Sequence, residues 1–230
     1  MKLNGIKVIA FDADDTLWVN EPYFRNAEEE FCNLLKDYMP EEESHKILFE
    51  IEMKNLPIYG YGIKPFALSL IEAAIKVSNK EIPISVVSEL IVIAKRMLHM
   101  PIELIDDIEL TLKELSKKYR LVMATKGDLL DQERKLIKSG LESYFHHIEV
   151  MSDKTPKQYK KLIKQLDINP TEFLMIGNSM KSDVLPVLDV GSYAIHIPFH
   201  TTWEHEKVAE PVVHSNYKEF TNASELLDLL

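Results

Sequence analysis

Apolar residues follow two rhythms along this chain. The continuous run Val8–Phe11 within residues 6–11 has the make-up of a strand buried on both faces, and short segments at 120–125, 146–151, 173–178 and 193–198 read as further strands. Longer stretches repeat their apolar positions at three- and four-residue steps, the period of an amphipathic helix. In "EPYFRNAEEEFCNLLKDYMP" that step runs through Phe24, Ala27, Phe31, Leu34, Leu35 and Tyr38 until Pro40 ends it. Further helices are predicted over about 41–54, 65–79 and 84–98, the last through Val87, Leu90, Ile91, Ala94 and Met97. The segment "NLPIYGYGIKP" carries two glycines and two prolines and reads as a loop.

Beyond Pro101 the pattern alternates. Helices at about 105–118, 129–139, 156–166 and 181–189 separate the later strands, and regular alternation of this kind specifies a parallel sheet covered on both faces. The strand at 6–11 finds partners nowhere else and should join that sheet. The prediction is therefore an α/β chain in which residues 1–19 and 100–230 form a doubly wound parallel sheet domain and residues 20–99 an inserted helical domain. The sequence contains no internal repeat and no low-complexity segment.

Composition adjusts this picture only at the margins. With 230 residues, 46% of them hydrophobic and 28% charged, the chain has the make-up of an ordered globular protein. A net charge of −10 and a pI near 5.3 argue against nucleic acid or an anionic membrane as a partner, and any anionic substrate requires a local positive centre. The one cysteine, Cys32, excludes an internal disulfide, and no apolar run reaches the length of about 18 residues that a membrane span needs. Both features lead us to expect a cytoplasmic protein.

Ligands of open α/β sheets bind beyond the carboxyl ends of the strands. Collected there are Asp12, Asp14, Asp15 and Thr16, then Thr125, Lys126 and Asp128, then Lys154, then Asn178, Ser179 and Asp183. Three aspartates against a buried strand end demand a compensating cation or specific hydrogen bonds. Taken singly, these residues have plainer explanations. An aspartate after a strand is as readily the cap of the next helix, Thr125 a strand-end hydroxyl bonding local backbone, Lys154 a solvated charge, and Asp183 a carboxylate favoured by a helix dipole.

Their order removes that ambiguity. "DADDT", "ATKGD", the lysine of "SDKTP" and "GNSMKSD" resemble the four successive motifs of the haloacid dehalogenase superfamily, and the resemblance spans the whole chain. It implies that residues 20–99 are a helical cap and that the protein is a magnesium-dependent phosphatase of a small phosphorylated metabolite. By the same resemblance Asp12 is the nucleophile that forms an aspartyl-phosphate, Asp14 the acid and base, and Thr125, Lys126 and Lys154 the phosphate ligands. Lys154 also steadies the nucleophile. Asp12, Asp14 (through its carbonyl), Asn178 and Asp183 are the implied ligands of Mg²⁺. Relatives that cleave carbon–halogen bonds lack an acid at the position of Asp14, which favours phosphoryl transfer here. Asn178 departs from the acid usual at its position and predicts weaker metal binding. Two alternatives follow from the same motifs: a non-catalytic binding protein and a phosphomutase.

Substrate identity is not legible. The loops near residues 20–24 and in "PIYGYGIKPF" are candidate specificity elements, although their tyrosines fit a cap core as well. The segment "PFHTTWEHE", with His200, Trp203 and His205, matches no zinc spacing and is expected to be a surface or cap-facing loop.

Overall fold

The computed structural model describes residue 3 and residues 5–230. Its strands are β1 (Val8–Phe11), β2 (Arg120–Lys126), β3 (His147–Met151), β4 (Phe173–Gly177), β5 (Tyr193–His196) and β6 (Tyr217–Glu219). They form one sheet in the order β3-β2-β1-β4-β5-β6, with every pair parallel. The first strand thus lies at the centre, between the two strands that carry the second and fourth motifs. Its side chains alternate between two cores. Ile9 and Phe11 pack with Leu121, Met123, Leu174 and Ile176, while Val8 and Ala10 pack on the other face with Val122, Ala124, Phe173 and Met175. Burial on both faces explains why these strands read as unbroken apolar runs.

The chain divides into two compact units. One comprises Met1–Glu21, Ile102–Lys126 and Gln132–Leu230, and contains the sheet together with α5 (Ile108–Leu115), most of α6 (Leu129–Ser139), α7 (Pro156–Gln165), α8 (Leu185–Leu188) and α9 (Glu225–Leu229). The other, Pro22–Pro101 with Gly127–Asp131, is helical: α1 (Glu21–Leu35), α2 (Glu41–Tyr59), α3 (Ile63–Val77) and α4 (Ile84–Met97) enclose a core of Phe31, Leu48, Phe66, Leu70, Leu90 and Ile93. Cys32 belongs to that core, and burial pushes its thiol up to about 12. Among the described residues no helix is long and apolar enough to cross a membrane.

Four local expectations change. The predicted loop at residues 55–65 is mostly helix, because α2 continues through Pro57 and stops at Gly60, whose φ of 78° breaks the helix. Pro57 lies in the last turn, where its missing N–H removes the bond to the Met53 carbonyl close to the helix end. Helix α5 begins at 108 rather than 105, since residues 103–105 are taken up in antiparallel pairing with 17–19: Val19 N donates to Glu103 O at 2.9 Å and Ile105 N to Leu17 O at 3.0 Å. The helix expected at 181–189 splits into a π-helical turn, Met180–Val184, followed by the short α8. Strand β6 has no apolar run to announce it; three half-exposed or exposed residues suffice to extend the sheet edge along β5.

Candidate active site

The four motifs come together at the carboxyl ends of β1, β2 and β4. Asp12 follows β1 directly, its N–H donating to Ile176 O at 2.9 Å, so the flanking strand fixes its backbone. Lys154, in the loop after β3, donates through Nζ to Asp12 Oδ1 and, at 2.6 Å, to Asp183 Oδ1. The Lys154 and Asp183 side chains are each 1% exposed. Burial and the nearby Asp183 charge push the Asp12 carboxyl up, against the pull of Lys154. Burial opposes the charge on Lys154, yet the two carboxylates outweigh it and raise its pKa, so the lysine keeps its proton.

Asp183 approaches so closely because Gly177 has no side chain. A Cβ on Gly177 would lie 2.2 Å from Asp183 Oδ2, inside any contact distance. That same oxygen accepts from Ser179 N at 3.0 Å, so both Asp183 oxygens are engaged, one by Lys154 and one by the backbone of the fourth motif.

Beside this pair, oxygens converge. The Oδ1 position of Asn178 lies 3.2 Å from the Asp14 carbonyl oxygen, 3.2 Å from Asp12 Oδ2 and 3.3 Å from Thr16 Oγ1. Turned the other way, the amide nitrogen of Asn178 would donate to all three. With its amide oxygen in that position, Asn178 would present an oxygen 3.2 Å from both Asp12 Oδ2 and the Asp14 carbonyl, and adjacent oxygen ligands of Mg²⁺ sit roughly 3 Å apart when metal–oxygen distances are about 2.0–2.1 Å. The donor set is one carboxylate, one peptide carbonyl and one amide, all hard oxygens. This mixture is consistent with the lack, among the described residues, of any cluster of three His, Cys, Asp or Glu side chains placed to hold a metal. Asn178 is held from behind: its N–H donates to Thr16 Oγ1 at 3.1 Å, and its carbonyl lies 2.9 Å from Nε2 of His196, whose Nδ1 is 3.0 Å from Glu219.

The Asp14 side chain is fixed by residues the sequence reading missed. Its Oδ1 accepts from Trp18 Nε1 at 2.7 Å and Lys135 Nζ at 2.9 Å, and its Oδ2 from Gln132 Nε2 at 2.8 Å. Gln132 and Lys135 are three residues apart on α6 and so share a face; a polar pair on the buried side of an amphipathic helix was the available signal. Asp15 has a different task. With φ at 59°, its carboxylate accepts from Asn20 N at 2.8 Å and Glu21 N at 3.0 Å, capping the entry to α1, while burial raises its pKa. The helix start, with a smaller contribution from the Lys135 charge, partly offsets the burial of this third aspartate.

Thr125 is buried at the end of β2 and donates to the Lys126 carbonyl at 3.2 Å. Lys126 Nζ donates to Ser182 Oγ at 2.8 Å and to Glu206 Oε1 at 2.6 Å. Glu206 belongs to the 199–206 segment expected at the surface, but its side chain is only 12% exposed. Its other oxygen accepts from Ser182 Oγ at 2.6 Å and from Ser179 Oγ. Burial opposes its charge, yet Lys126 and the serines together bring Glu206 down to about 2. The eye-catching residues of that segment do less: the Trp203 and His205 rings pack against each other at a tilt of 51°, their centroids 4.9 Å apart. Asp128, which the sequence reading gathered with the strand ends, accepts from Lys64 Nζ at 2.8 Å inside the helical unit.

Comparison with known proteins points one way. The family model for haloacid dehalogenase-like hydrolases matches residues 6–191. The chain is 25% identical over 239 residues to the N-acylneuraminate-9-phosphatase of Rattus norvegicus, covering 98% of this chain and 93% of that protein. It is likewise 25% identical over 201 residues to the glyceraldehyde 3-phosphate phosphatase of Methanothermobacter thermautotrophicus, with 83% and 84% covered. Among solved structures, a haloacid dehalogenase-like hydrolase from Xanthomonas campestris superposes with a TM-score of 0.86 at 35% identity over 98% of this chain and 92% of its own. The HAD-hydrolase YfnB of Bacillus subtilis, in a magnesium-bound form, shares the fold at a TM-score of 0.67 and 18% identity, with 97% and 98% covered.

Proposed function

This chain belongs to the haloacid dehalogenase-like hydrolases, and on that premise we propose that it hydrolyses a phosphate monoester of a small metabolite through an aspartyl-phosphate on Asp12. One observation carries the reading: Asp12 and Lys154 form a buried pair at the central strand end, with Asp183 holding the lysine from its other side.

Asp12, the Asp14 carbonyl and Asn178 would hold a magnesium ion, which, when bound, offsets the negative charge between nucleophile and phosphoryl group; Asp183, the fourth expected ligand, is engaged by Lys154 and the Ser179 N–H and serves the site through the lysine it anchors. Lys154 supplies the positive charge the acidic chain otherwise lacks, and stays in place because Asp183 anchors it. The Thr125 hydroxyl and the Lys126 N–H take the non-bridging phosphate oxygens. In the first displacement an Asp12 oxygen bonds to phosphorus, the bond to the leaving oxygen breaks, and that oxygen receives the proton of Asp14. In the second, water attacks phosphorus and passes its proton to Asp14, which frees Asp12 and releases phosphate. Trp18, Gln132 and Lys135 keep the Asp14 carboxyl oriented between the two steps.

In this reading residues 20–99 are the cap that selects the substrate, and the setting is the cytoplasm. The relatives act, by their names, on a phosphorylated acylneuraminate and a phosphorylated triose, so a substrate panel begins with small sugar and triose phosphates. The test is release of phosphate from such a panel and from an aryl phosphate, with and without magnesium. Turnover should require magnesium and vanish in Asp12→Asn while the fold survives. Full turnover in that variant contradicts the reading.

A further inference from the structure

Lys126 follows Thr125 at the end of β2, beside the hydroxyl proposed to bind the phosphate. Its side chain turns instead towards the loop beyond β5. There Glu206 Oε1 accepts from it at 2.6 Å, Ser182 Oγ lies at 2.8 Å, and the two charged side chains are only 13% and 12% exposed. The second Glu206 oxygen is held by Ser182 Oγ and Ser179 Oγ, and Ser179 Oγ also accepts from Ser182 N at 3.0 Å at the start of the π-helical turn that carries Asp183. Lys181 Nζ fastens the same loop from outside by donating to the His205 carbonyl at 2.9 Å. A carboxylate with donors on both oxygens, one of them charged, is a rigid clasp.

We propose that Glu206 is a positioning residue that masks Lys126, withholding its ammonium from the phosphate-binding strand ends so that Lys154, and not Lys126, supplies the lysine charge to the phosphoryl group. The inference rests on the phosphatase reading above. Its chemical sense is that a second lysine on the phosphate would tighten substrate and product equally, which lowers no barrier and delays release.

The experiment measures inhibition by inorganic phosphate in the native protein, in Glu206→Gln and in Glu206→Gln/Lys126→Met. The phosphate-dependent rise in unfolding temperature is followed in parallel with magnesium present, since bound phosphate stabilises the fold by mass action. Unmasking one charge a few Å from phosphate should lower the inhibition constant of Glu206→Gln about tenfold. The double variant should lose that gain, because the released charge is gone. An unchanged constant in Glu206→Gln, or equal tightening in the double variant, overturns the masking. Should Glu206→Gln not fold, the Glu206→Gln/Lys126→Met double variant, which removes both charges of the pair at once, is compared with the native protein by itself. A masked lysine then predicts phosphate inhibition within about twofold of native, whereas a lysine on the phosphate predicts weakening of about tenfold, which overturns the proposal. A native protein that neither hydrolyses esters nor binds phosphate removes the phosphatase reading and the masking together; an active protein in which Glu206→Gln is silent removes the masking alone.

Discussion

Lys154 and Lys126 stand at the same edge of the sheet, each bound to a carboxylate, and they are built for different ends. Lys154 is almost fully buried and lies between two acids, one of which belongs to the strand end where chemistry is proposed. Lys126 is paired with Glu206, and that acid is satisfied on its other side by two serine hydroxyls. The first arrangement leaves excess negative charge around the lysine and raises the Asp12 carboxyl; the second neutralises itself and holds Glu206 down at about 2. A buried ion pair is thus no sign of catalysis by itself. What distinguishes the two is whether the surrounding hydrogen bonds close the account of charge or leave it open to a ligand.

The largest effect expected from breaking this contrast is at Lys154. Lys154→Met leaves two buried carboxylates facing each other, and should abolish turnover and destabilise the protein by about 3–5 kcal/mol in denaturant unfolding. A variant of native stability would show that Asp12 and Asp183 are not electrostatically tied to the lysine. Next comes Asp14→Asn, which keeps the shape but cannot exchange the proton; kcat should fall roughly a hundredfold or more. The loss should be greater for an alkyl phosphate than for an aryl phosphate, whose leaving group departs without help. Equal losses on both would place Asp14 outside proton transfer.

Smaller is the acid response of the Glu206 clasp. Its folded pKa lies below the ordinary 4.5, so its stabilisation is complete above about pH 4.5 and drains away as pH falls towards 2. Glu206→Gln should therefore flatten the decline of unfolding temperature across that window, and an unaltered slope would mean that the pair is not formed in solution. Smallest is Asn178→Asp, which adds a charged oxygen to the candidate metal ligands. The magnesium concentration for half-maximal activity should drop, with kcat free to move either way because the added charge also repels phosphate. An unchanged or higher value would take position 178 out of the ligand set.

Much of this was legible beforehand because it is periodic or ordered along the chain. The run Val8–Phe11 reads as a buried strand, and the order of the four motifs picks out Asp12, Thr125, Lys154 and Asp183 without any coordinates. Gly177 had a visible place in "FLMIGN", but only the 2.2 Å approach of Asp183 to its missing Cβ gives it a reason. Glu206 was invisible: it sits in a short 3₁₀ turn 80 residues from Lys126, beside histidines and a tryptophan that attract more notice. Which of the two compensations open to the aspartates serves Asp15 was not legible, since its hydrogen bonds depend on a left-handed backbone turn that aims it at the start of α1. Strand β6 was missed because pairing along an edge needs backbone hydrogen bonds and no apolar signature.

The central claim is that Asp12 becomes phosphorylated, and it can be tested directly. The protein is mixed with a turned-over phosphate ester and magnesium, quenched in acid within the first turnovers, and its peptides are mapped by mass spectrometry. The account predicts a phosphoryl adduct on Asp12, formed and lost at rates that match turnover, and none in Asp12→Asn. Turnover without an adduct at Asp12, or with the adduct on another residue, would contradict it.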